Sequence, residues 1–200
     1  MMEVYATNGE YSLVELTEAD KENYFRLLEQ VNKIDGFYDD PRHYELMWKV
    51  AQNVGTNEFS IYDRNNEYCG NITLNHYDSS TPEIGIDLLE EKRNQGIAAQ
   101  SIKLLARTVH KSREDIEYFV LRVSSHNLHS KHMIEKLGAV YLGEEETLYK
   151  RFVKRLQEER EEERTSEERR ARLDALLLEL SDVDDDEVVY RYKLMSGRYL

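Results

Sequence analysis

The stretch EIGIDLLEEKRNQGIAAQSIKLLARTV, Glu83 to Val109, predicts a strand, a tight turn and a helix in direct succession. Glu83 to Leu89 is mostly apolar and suits a buried strand. The turn, Arg93 to Ala98, leads straight into a helix. The apolar residues of that helix recur at three- and four-residue spacing and predict one buried face: Ile97, Ala98, Ile102, Leu105 and Val109.

The start of this helix is a candidate phosphate site. A helix that begins directly after a turn presents unpaired N–H groups and the positive end of its dipole. Gly96 and Ala98 lack bulk, so an anion can approach the backbone, and Arg93 adds a positive charge. An ordinary strand-to-helix turn would explain the same residues, so both interpretations stay open. The glycine fingerprints of dinucleotide-binding and P-loop proteins are absent from the sequence.

The composition favours one globular domain over residues 1–200. Hydrophobic residues make up 40% and charged residues 34%, with a net charge of −13. This balance argues against nucleic acid or an anionic membrane as a partner, and it is compatible with cationic substrates such as amines. The single cysteine, Cys69, excludes an internal disulfide framework. No signal pattern or long apolar run is visible, so we expect a soluble cytoplasmic protein.

The rest of the chain predicts alternating strands and helices around the central stretch. Thr17 is a helix N-cap, Gly36 ends that helix, and Pro41 follows Asp40 at the first position of the next. The predicted elements are a strand at Glu10–Leu16, a helix to about Ile34, a helix to about Asn53 before a loop through Gly55, a hairpin of Phe59–Tyr62 and Tyr68–Tyr77, a strand at Ile116–Val123, a helix at Ser124–Ala139, a strand region from Tyr141 to Phe152, and a last strand at Val188–Leu194.

A charged insertion at about 153–186 interrupts this pattern before the last strand. From Glu158 to Glu187 there are fourteen acidic residues against five arginines. Thr165 to Glu168 fits a helix-capping box. A stripe of leucines at helical spacing then follows: Leu173, Leu176, Leu177 and Leu180. The insertion is predicted to be one long or two shorter helices, forming a solvated surface, a dimer contact or a wall of the substrate cleft.

Two motifs together resemble the GNAT acetyltransferases. Arg93-x-x-Gly96-x-Ala98 fits the family pattern Arg/Gln-x-x-Gly-x-Gly/Ala, and Asn127-x-x-Ser130 with Glu135-Lys136-x-Gly138 resembles a helix that follows the family's fifth strand. The element order is also similar, and Ser130 and Ile134 within the second motif most resemble the branch that acetylates ribosomal-protein N-termini and related amines. The resemblance implies an α+β (α/β/α) fold, with a mixed, mostly antiparallel sheet and a splayed parallel pair at the acetyl-CoA site.

The resemblance also implies which residues hold acetyl-CoA, the acetyl donor. The backbone at Leu88 would meet the thioester and pantetheine, and the turn would bind the pyrophosphate. Asn127 would bond the pantetheine arm or orient the site. The full set of expected cofactor residues is Leu88, Arg93, Asn94, Gln95, Gly96, Ile97, Ala98, Asn127 and Ser130.

Glu83 is the candidate general base, because it aligns with a strand carboxylate that some family members use as the base, usually through a water molecule. A structural salt bridge is the alternative role for the same residue. The family's usual acid is a tyrosine seven residues after the motif asparagine, where this chain has Ile134. The acid is therefore left open among Tyr141, Tyr149, Ser130 and solvent, with weak acid catalysis or none as a further alternative.

The sequence thus predicts an N-acetyltransferase that moves the acetyl group to a primary amine by direct attack in a ternary complex. No metal site is expected, since the three-residue steps of His126, His129 and His132 do not bring all three to one helix face. A coenzyme A-binding or sensing module without efficient turnover, and an interaction protein built around the acidic helices, are the alternatives. The expected partners are acetyl-CoA and an amine acceptor, and the expected state is a monomer or homodimer.

Overall fold

An eight-stranded mixed sheet forms the centre of the computed structural model, which describes residues 4–32, 41–53, 57–162, 166–179 and 187–199. The strands are β1 Val4–Thr7, β2 Tyr11–Glu15, β3 Asn57–Asp63, β4 Tyr68–Asn75, β5 Glu83–Leu88, β6 Tyr118–Ser124, β7 Val140–Glu146 and β8 Val188–Met195. The helices are α1 Lys21–Asn32, α2 Pro41–Asn53, α3 Ile97–Ser112, α4 Leu128–Lys136, α5 Leu148–Glu161 and α6 Glu167–Glu179.

The strand order is β1-β2-β3-β4-β5-β6-β8-β7. Neighbouring strands are antiparallel throughout, apart from the parallel pair β5–β6. This is the α+β architecture that the sequence predicts, so the fold class is confirmed.

The main core lies on one face of the sheet, called here the α3 face. There the predicted apolar stripe of α3 packs against strand residues such as Ile72 and Leu74, with Ile97, Ile102, Leu105 and Val109 all buried. The opposite face, called here the α1 face, carries Tyr62 and Tyr68 packed against Leu27 of α1. A second aromatic cluster of Tyr24, Phe25 and Trp48 joins α1 to α2.

The start of α1 confirms the predicted N-cap. The Asp20 carboxylate accepts hydrogen bonds from the Thr17 backbone N–H at 2.8 Å and from the Thr17 hydroxyl at 2.7 Å. A short 3-10 turn, Glu18–Asp20, comes before the regular helix. Tyr62 also donates its hydroxyl proton to Asp20, so this buried carboxylate ties the helix start to β3.

The first strand pair was not predicted. β1 forms a hairpin with β2, turning at Asn8-Gly9, where Gly9 adopts a left-handed φ of 86°. Asn-Gly is a strong hairpin signal, but the flanking segments are short, and Val4 is exposed. The predicted first strand therefore corresponds to β2, at the narrower bounds Tyr11–Glu15.

The prediction of a continuous strand region from Tyr141 to Phe152 was wrong in its second half. Tyr141 lies in β7, whereas Tyr149 and Phe152 lie in α5. The Thr147 hydroxyl accepts from the Lys150 N–H at 3.1 Å and caps this helix. The helical segment before β8 therefore begins at Leu148, ahead of the predicted boundary near 153. The predictions for Ile34, Gly36, Asp40, Gly55, Thr165 and Leu180 lie outside the described residues.

Candidate active site

The site is organised by the point where β5 and β6 separate. In this described part of the sheet, Glu83 opposite Val120 is the one registered pair between the two strands. The Val120 N–H also donates to the Pro82 carbonyl at 2.8 Å. Beyond this vertex, β5 continues to pair with β4 and β6 with β8. The two strand edges that face each other therefore form a wedge whose backbone groups can pair with an inserted extended chain.

The predicted phosphate turn lies at the open end of this wedge. Asn94 and Gly96 adopt left-handed φ values of 61° and 80°, and Gly96 is the N-cap of α3. A Cβ at Gly96 would meet no protein atom within 4 Å, so the space above the turn is open. The residues from Arg93 to Gly96 are exposed, while Ile97 is buried beneath them. The turn thus presents the first N–H groups of α3 to an accessible space.

Two predicted cofactor residues are already engaged with each other. Arg93 donates from Nε to the Leu88 carbonyl at 3.1 Å, and its guanidinium lies 3.6 Å from the Glu90 carboxylate. Arg93 therefore takes one of the two acceptor positions of the Leu88 carbonyl. Gln95 turns its side-chain amide to the Glu91 carbonyl at 2.7 Å. The backbone of this turn, rather than its side chains, is what faces the open space.

Asn127 and Ser130 lie at the start of α4, which follows β6. The side-chain Oδ1 of Asn127 caps the helix by accepting from the Ser130 N–H at 3.0 Å. Because β5 and β6 are parallel, α3 and α4 both begin at the same edge of the sheet. The structure therefore places this pair on the same edge as the phosphate turn, and their contact with pantetheine stays a prediction.

Glu83 lies at the vertex of the wedge and forms an ion pair with Arg122 of β6. Arg122 also contacts Glu145 at 3.1 Å, and Glu145 contacts Arg191 at 3.0 Å. These four residues are called here the vertex network. It crosses β5, β6, β7 and β8, and the Glu83 side chain is 18% exposed within it. The guanidinium of Arg122 occupies an oxygen that a general base would use.

The structure does not bring Glu83 close to Leu88. A strand rises about 3.3 Å per residue, so these two ends of β5 are roughly 16 Å apart. A thioester near Leu88 would therefore be beyond direct contact with the Glu83 carboxylate. The assignment of Glu83 as the base stays a prediction, and the salt-bridge role is the one that its contacts favour.

Sequence reasoning missed three polar residues on the α1 face. Asn71 of β4 donates from Nδ2 to Glu58 of β3 at 3.0 Å and lies opposite Asp87 of β5. Burial, followed by the charge of Asp87, raises the pKa of Glu58. Reduced hydration also raises the pKa of Asp87, with Arg93 opposing it. An asparagine inside the apolar run of β4 was the available signal.

The tyrosines considered as proton donors lie far from the wedge. Ile134 is 4% exposed and packs in the α3-face core, so no titratable side chain occupies that position. Tyr141 lies on β7, separated from β5 by β6 and β8, which is about 14 Å at normal strand spacing. Tyr149 lies on α5 beyond β7. Ser130 and solvent stay open as sources of the proton.

No group of three or more histidine, cysteine, aspartate or glutamate side chains is arranged to hold a metal ion within the ranges that the structure describes. Among the described helices, none combines the length and apolar character that crossing a bilayer requires.

The family of the chain follows from its sequence and agrees with this geometry. The model of the acetyltransferase (GNAT) domain matches residues 12–140. The chain belongs to this family and is a GNAT acetyltransferase. The predicted family and enzyme class are therefore confirmed. A comparison with curated protein sequences gives no match.

Solved structures of acetyltransferases share the fold. A variant of the spermidine N-acetyltransferase SpeG from Vibrio cholerae has a TM-score of 0.66 at 16% identity, covering 96% of this chain and 98% of that one. RimL, an α-N-acetyltransferase of a ribosomal protein, has a TM-score of 0.63 at 16% identity, covering 98% and 95%. A putative acetyltransferase reaches 0.65 at 14% identity, covering 100% and 90%. At these identities the similarity concerns the fold alone.

Proposed function

We propose that this chain transfers the acetyl group of acetyl-CoA to a primary amine by direct attack in a ternary complex. The observation that carries the proposal is the wedge between β5 and β6, which opens beside the N-terminus of α3. An extended pantetheine arm can pair with the strand edges, while the pyrophosphate is received by the N–H groups of residues 95–98. The residues proposed to contact acetyl-CoA are those expected from the sequence.

The acceptor is proposed to be a cationic amine or a protein N-terminus. The net charge of −13 favours the approach of cations. The neighbours named above act on spermidine and on a ribosomal-protein N-terminus, both of which are amines. Attack requires a neutral nitrogen, so a residue at the site must accept a proton before the C–N bond forms.

The amine nitrogen bonds to the thioester carbon, the C–S bond breaks, and the thiolate takes up a proton. The protein holds the two reactants in one geometry, which converts a bimolecular step into an effectively unimolecular one. The N–H groups along the wedge are available to polarise the thioester carbonyl.

The test is thiol release from acetyl-CoA with a panel of amines. The panel contains spermidine, a short peptide with a free N-terminus, and an aminoglycoside. We expect release above the no-amine blank with at least one of them, and a saturable heat of acetyl-CoA binding by calorimetry. Binding without thiol release for any amine class would contradict the proposed transfer.

One observation favours a second candidate, a module that binds coenzyme A with little turnover. Ile134 is buried in the core where the family's usual tyrosine would offer a proton. The same two assays separate the candidates, because the module would bind acetyl-CoA and release no thiol. A chain that does neither would be an interaction protein of the acidic helices.

Two further expectations from the sequence stay predictions. One is the cytoplasmic location. The other is the monomeric or homodimeric state, although the spermidine enzyme of Vibrio cholerae has been described as a dodecamer.

A further inference from the structure

We propose that Glu58 and Asp87 form the subsite that receives the cationic amine of the acceptor, with Glu58 as the group that takes its proton. Asn71 is the positioning residue that holds Glu58. This inference rests on the proposed acetyl transfer and names side chains for its acceptor half.

The three residues lie side by side on three neighbouring strands. In the register, Asn71 is opposite Asp87, and Glu58 is opposite Thr73, two residues further along β4. Ile72, the neighbour of Asn71, points into the α3-face core, so alternation places Asn71 on the α1 face. The set therefore lies on the opposite side of the sheet from α3.

A buried hydrogen-bond chain fixes the carboxylate of Glu58. The Tyr68 hydroxyl donates to the side-chain Oδ1 of Asn71 at 2.5 Å, and the side-chain Nδ2 of Asn71 donates to Glu58 Oε1 at 3.0 Å. Asn71 is 4% exposed, and Tyr68 is also buried. This arrangement sets one Glu58 oxygen and leaves the other for a ligand, since no other hydrogen bond reaches Glu58 from the described residues.

The two carboxylates lack a cation. Neither Glu58 nor Asp87 forms an ion pair with any described residue, although Arg93 acts on Asp87 from a distance. Burial raises the pKa of Glu58, and the charge of Asp87 raises it further, while the bond from Asn71 opposes both. Asp87 has an exposed surface, yet the strands around its carboxyl still reduce its hydration and raise its pKa. An ammonium group between them would relieve this repulsion.

Ser60 is a second polar residue on the α1 face whose hydrogen-bonding capacity is not satisfied. Its side chain is fully buried, and its hydroxyl has no hydrogen-bond partner among the described residues. Ser60 lies directly opposite Asn71, and two residues from Glu58 on the same strand. A buried hydroxyl without a partner is unfavourable, so this part of the α1 face holds more polar groups than its own side chains satisfy.

The position of Glu58 and Asp87 relative to the wedge suits acetyl transfer. Asp87 directly precedes Leu88, at the open end of the wedge, whereas Glu83 is at its closed vertex. Gly70 lets β4 approach β5 at this level, since a Cβ there would lie 2.1 Å from the Asp87 carbonyl oxygen. An amine held by Glu58 and Asp87 is therefore beside the segment assigned to the thioester.

The reaction balances with these groups. The acceptor ammonium gives one proton to the Glu58 carboxylate, and the freed lone pair forms the C–N bond to the thioester carbon. The C–S bond breaks, and coenzyme A leaves as a thiolate. The nitrogen, now positively charged, loses its second proton, which the thiolate takes up. Glu58 then releases its proton to solvent.

The experiment compares Glu58→Gln, Asp87→Asn and Asn71→Ala with the control Glu114→Gln, an exposed carboxylate before β6. Thiol release is measured with each amine of the panel that the wild type accepts. We expect Glu58→Gln to lower kcat by about 10²–10⁴ with little change in KM, as loss of a general base does. Asp87→Asn should raise the acceptor KM about tenfold, and Glu114→Gln should match the wild type.

The pH profile of Asn71→Ala tests the positioning role, because a purely structural role of Asn71 would leave that profile unchanged. The bond from Asn71 lowers the pKa of Glu58, so its removal should shift the acidic limb of the kcat/KM profile to higher pH. The groups that act on Glu58 are Asp87 from β5 and, from β4, Asn71 and the Tyr68 hydroxyl. An unshifted limb in a folded Asn71→Ala variant would count against its positioning role.

A binding experiment tests the proposed amine subsite separately from the proposed acetyl transfer. Spermidine is titrated into protein saturated with coenzyme A, for the wild type and for Glu58→Gln combined with Asp87→Asn. At least tenfold weaker binding by the double variant supports the subsite even if no amine is acetylated, and equal binding overturns it. If amines are acetylated and Glu58→Gln keeps kcat within threefold, the subsite is wrong while the proposed function stands.

Discussion

Glu83 and Val120 face each other across β5 and β6, and the two strands part immediately beyond them. The ion pair between Glu83 and Arg122 closes the same vertex on one side of the sheet. The wedge therefore opens only toward Leu88, where β5 runs into the turn at Gly96. This places the strand edges and the start of α3 along one path for an extended, phosphate-bearing ligand.

The first prediction concerns Gly96. Gly96→Val should weaken acetyl-CoA binding at least tenfold, about 1.4 kcal/mol, because a branched side chain would occupy the open space over the turn. The left-handed φ of 80° adds backbone strain. Gly9→Val is the matched control, since Gly9 also has a left-handed φ, of 86°, and open surroundings. Calorimetry showing equal affinity in both folded variants would remove the phosphate-binding assignment.

The second prediction concerns the vertex network. We expect Glu83→Gln and Arg122→Gln to destabilise the fold by similar small amounts, about 1 kcal/mol or less, because the pair is partly exposed. Turnover of Glu83→Gln should stay within about tenfold of the wild type. A loss of 10²–10⁴ in kcat with a flattened acidic limb, absent from Arg122→Gln, would instead establish Glu83 as the base.

The parts of the fold that depend on local sequence could be predicted. The strand, turn and helix from Glu83 to Val109 follow from apolar periodicity and from a glycine at the helix start. The cap at Thr17 and the turn after Asp63 are similarly local, because the atoms that bond lie within a few residues.

The contacts that decide the roles of the carboxylates are non-local. Whether Glu83 is a free base depends on Arg122, which reaches it only because β6 pairs beside β5. Glu58, Asn71 and Asp87 come together through the registers of three strands, and no spacing in the sequence encodes that.

Short apolar runs are ambiguous for another reason. Leu148, Tyr149 and Phe152 fit either a strand or a helix face, and Thr147 as a cap decides for the helix.

The third prediction concerns stability and pH. The pKa of Glu58 and of Asp87 is raised in the folded chain, so the folded state holds protons more tightly than the unfolded state. Stability should therefore fall as pH rises from the ordinary carboxyl range through these raised values. Glu58→Gln and Asp87→Asn should be more stable than the wild type at pH 7, and the advantage should vanish in acid.

Thermal melts between pH 4 and pH 8 measure this. Each kcal/mol gained corresponds to about 2–4 °C in Tm for a chain of this size. Glu114→Gln, an exposed carboxylate, should give no such pH-dependent gain. Variants with a lower Tm than the wild type at pH 7 would contradict the prediction, because the ionised carboxylates would then stabilise the fold.

The last prediction concerns the helices α5 and α6. They are joined by the ion pairs Arg160–Asp174 and Arg169–Glu159, and Leu156 and Leu173 are buried. Leu173, at 3% exposure, belongs to the predicted stripe, whereas Leu178, at 75%, does not. The stripe therefore packs at least partly within this helical pair. The sequence-based hypothesis that the pair also borders the acceptor cleft stays a prediction.

Leu173→Ala tests that hypothesis, with Leu178→Ala as the exposed control. Removing a buried leucine typically destabilises by about 2–5 kcal/mol, so Leu173→Ala should increase amide hydrogen exchange across residues 148–179, and Leu178→Ala should not. Acetyl-CoA affinity should be unchanged in both. If the acidic pair attracts the amine, the acceptor KM should rise in Leu173→Ala and should also rise with salt in the wild type, because salt screens exposed charges. An acceptor KM that responds to neither change would show that α5 and α6 act away from the cleft, and light scattering would then show whether they join two copies of the chain.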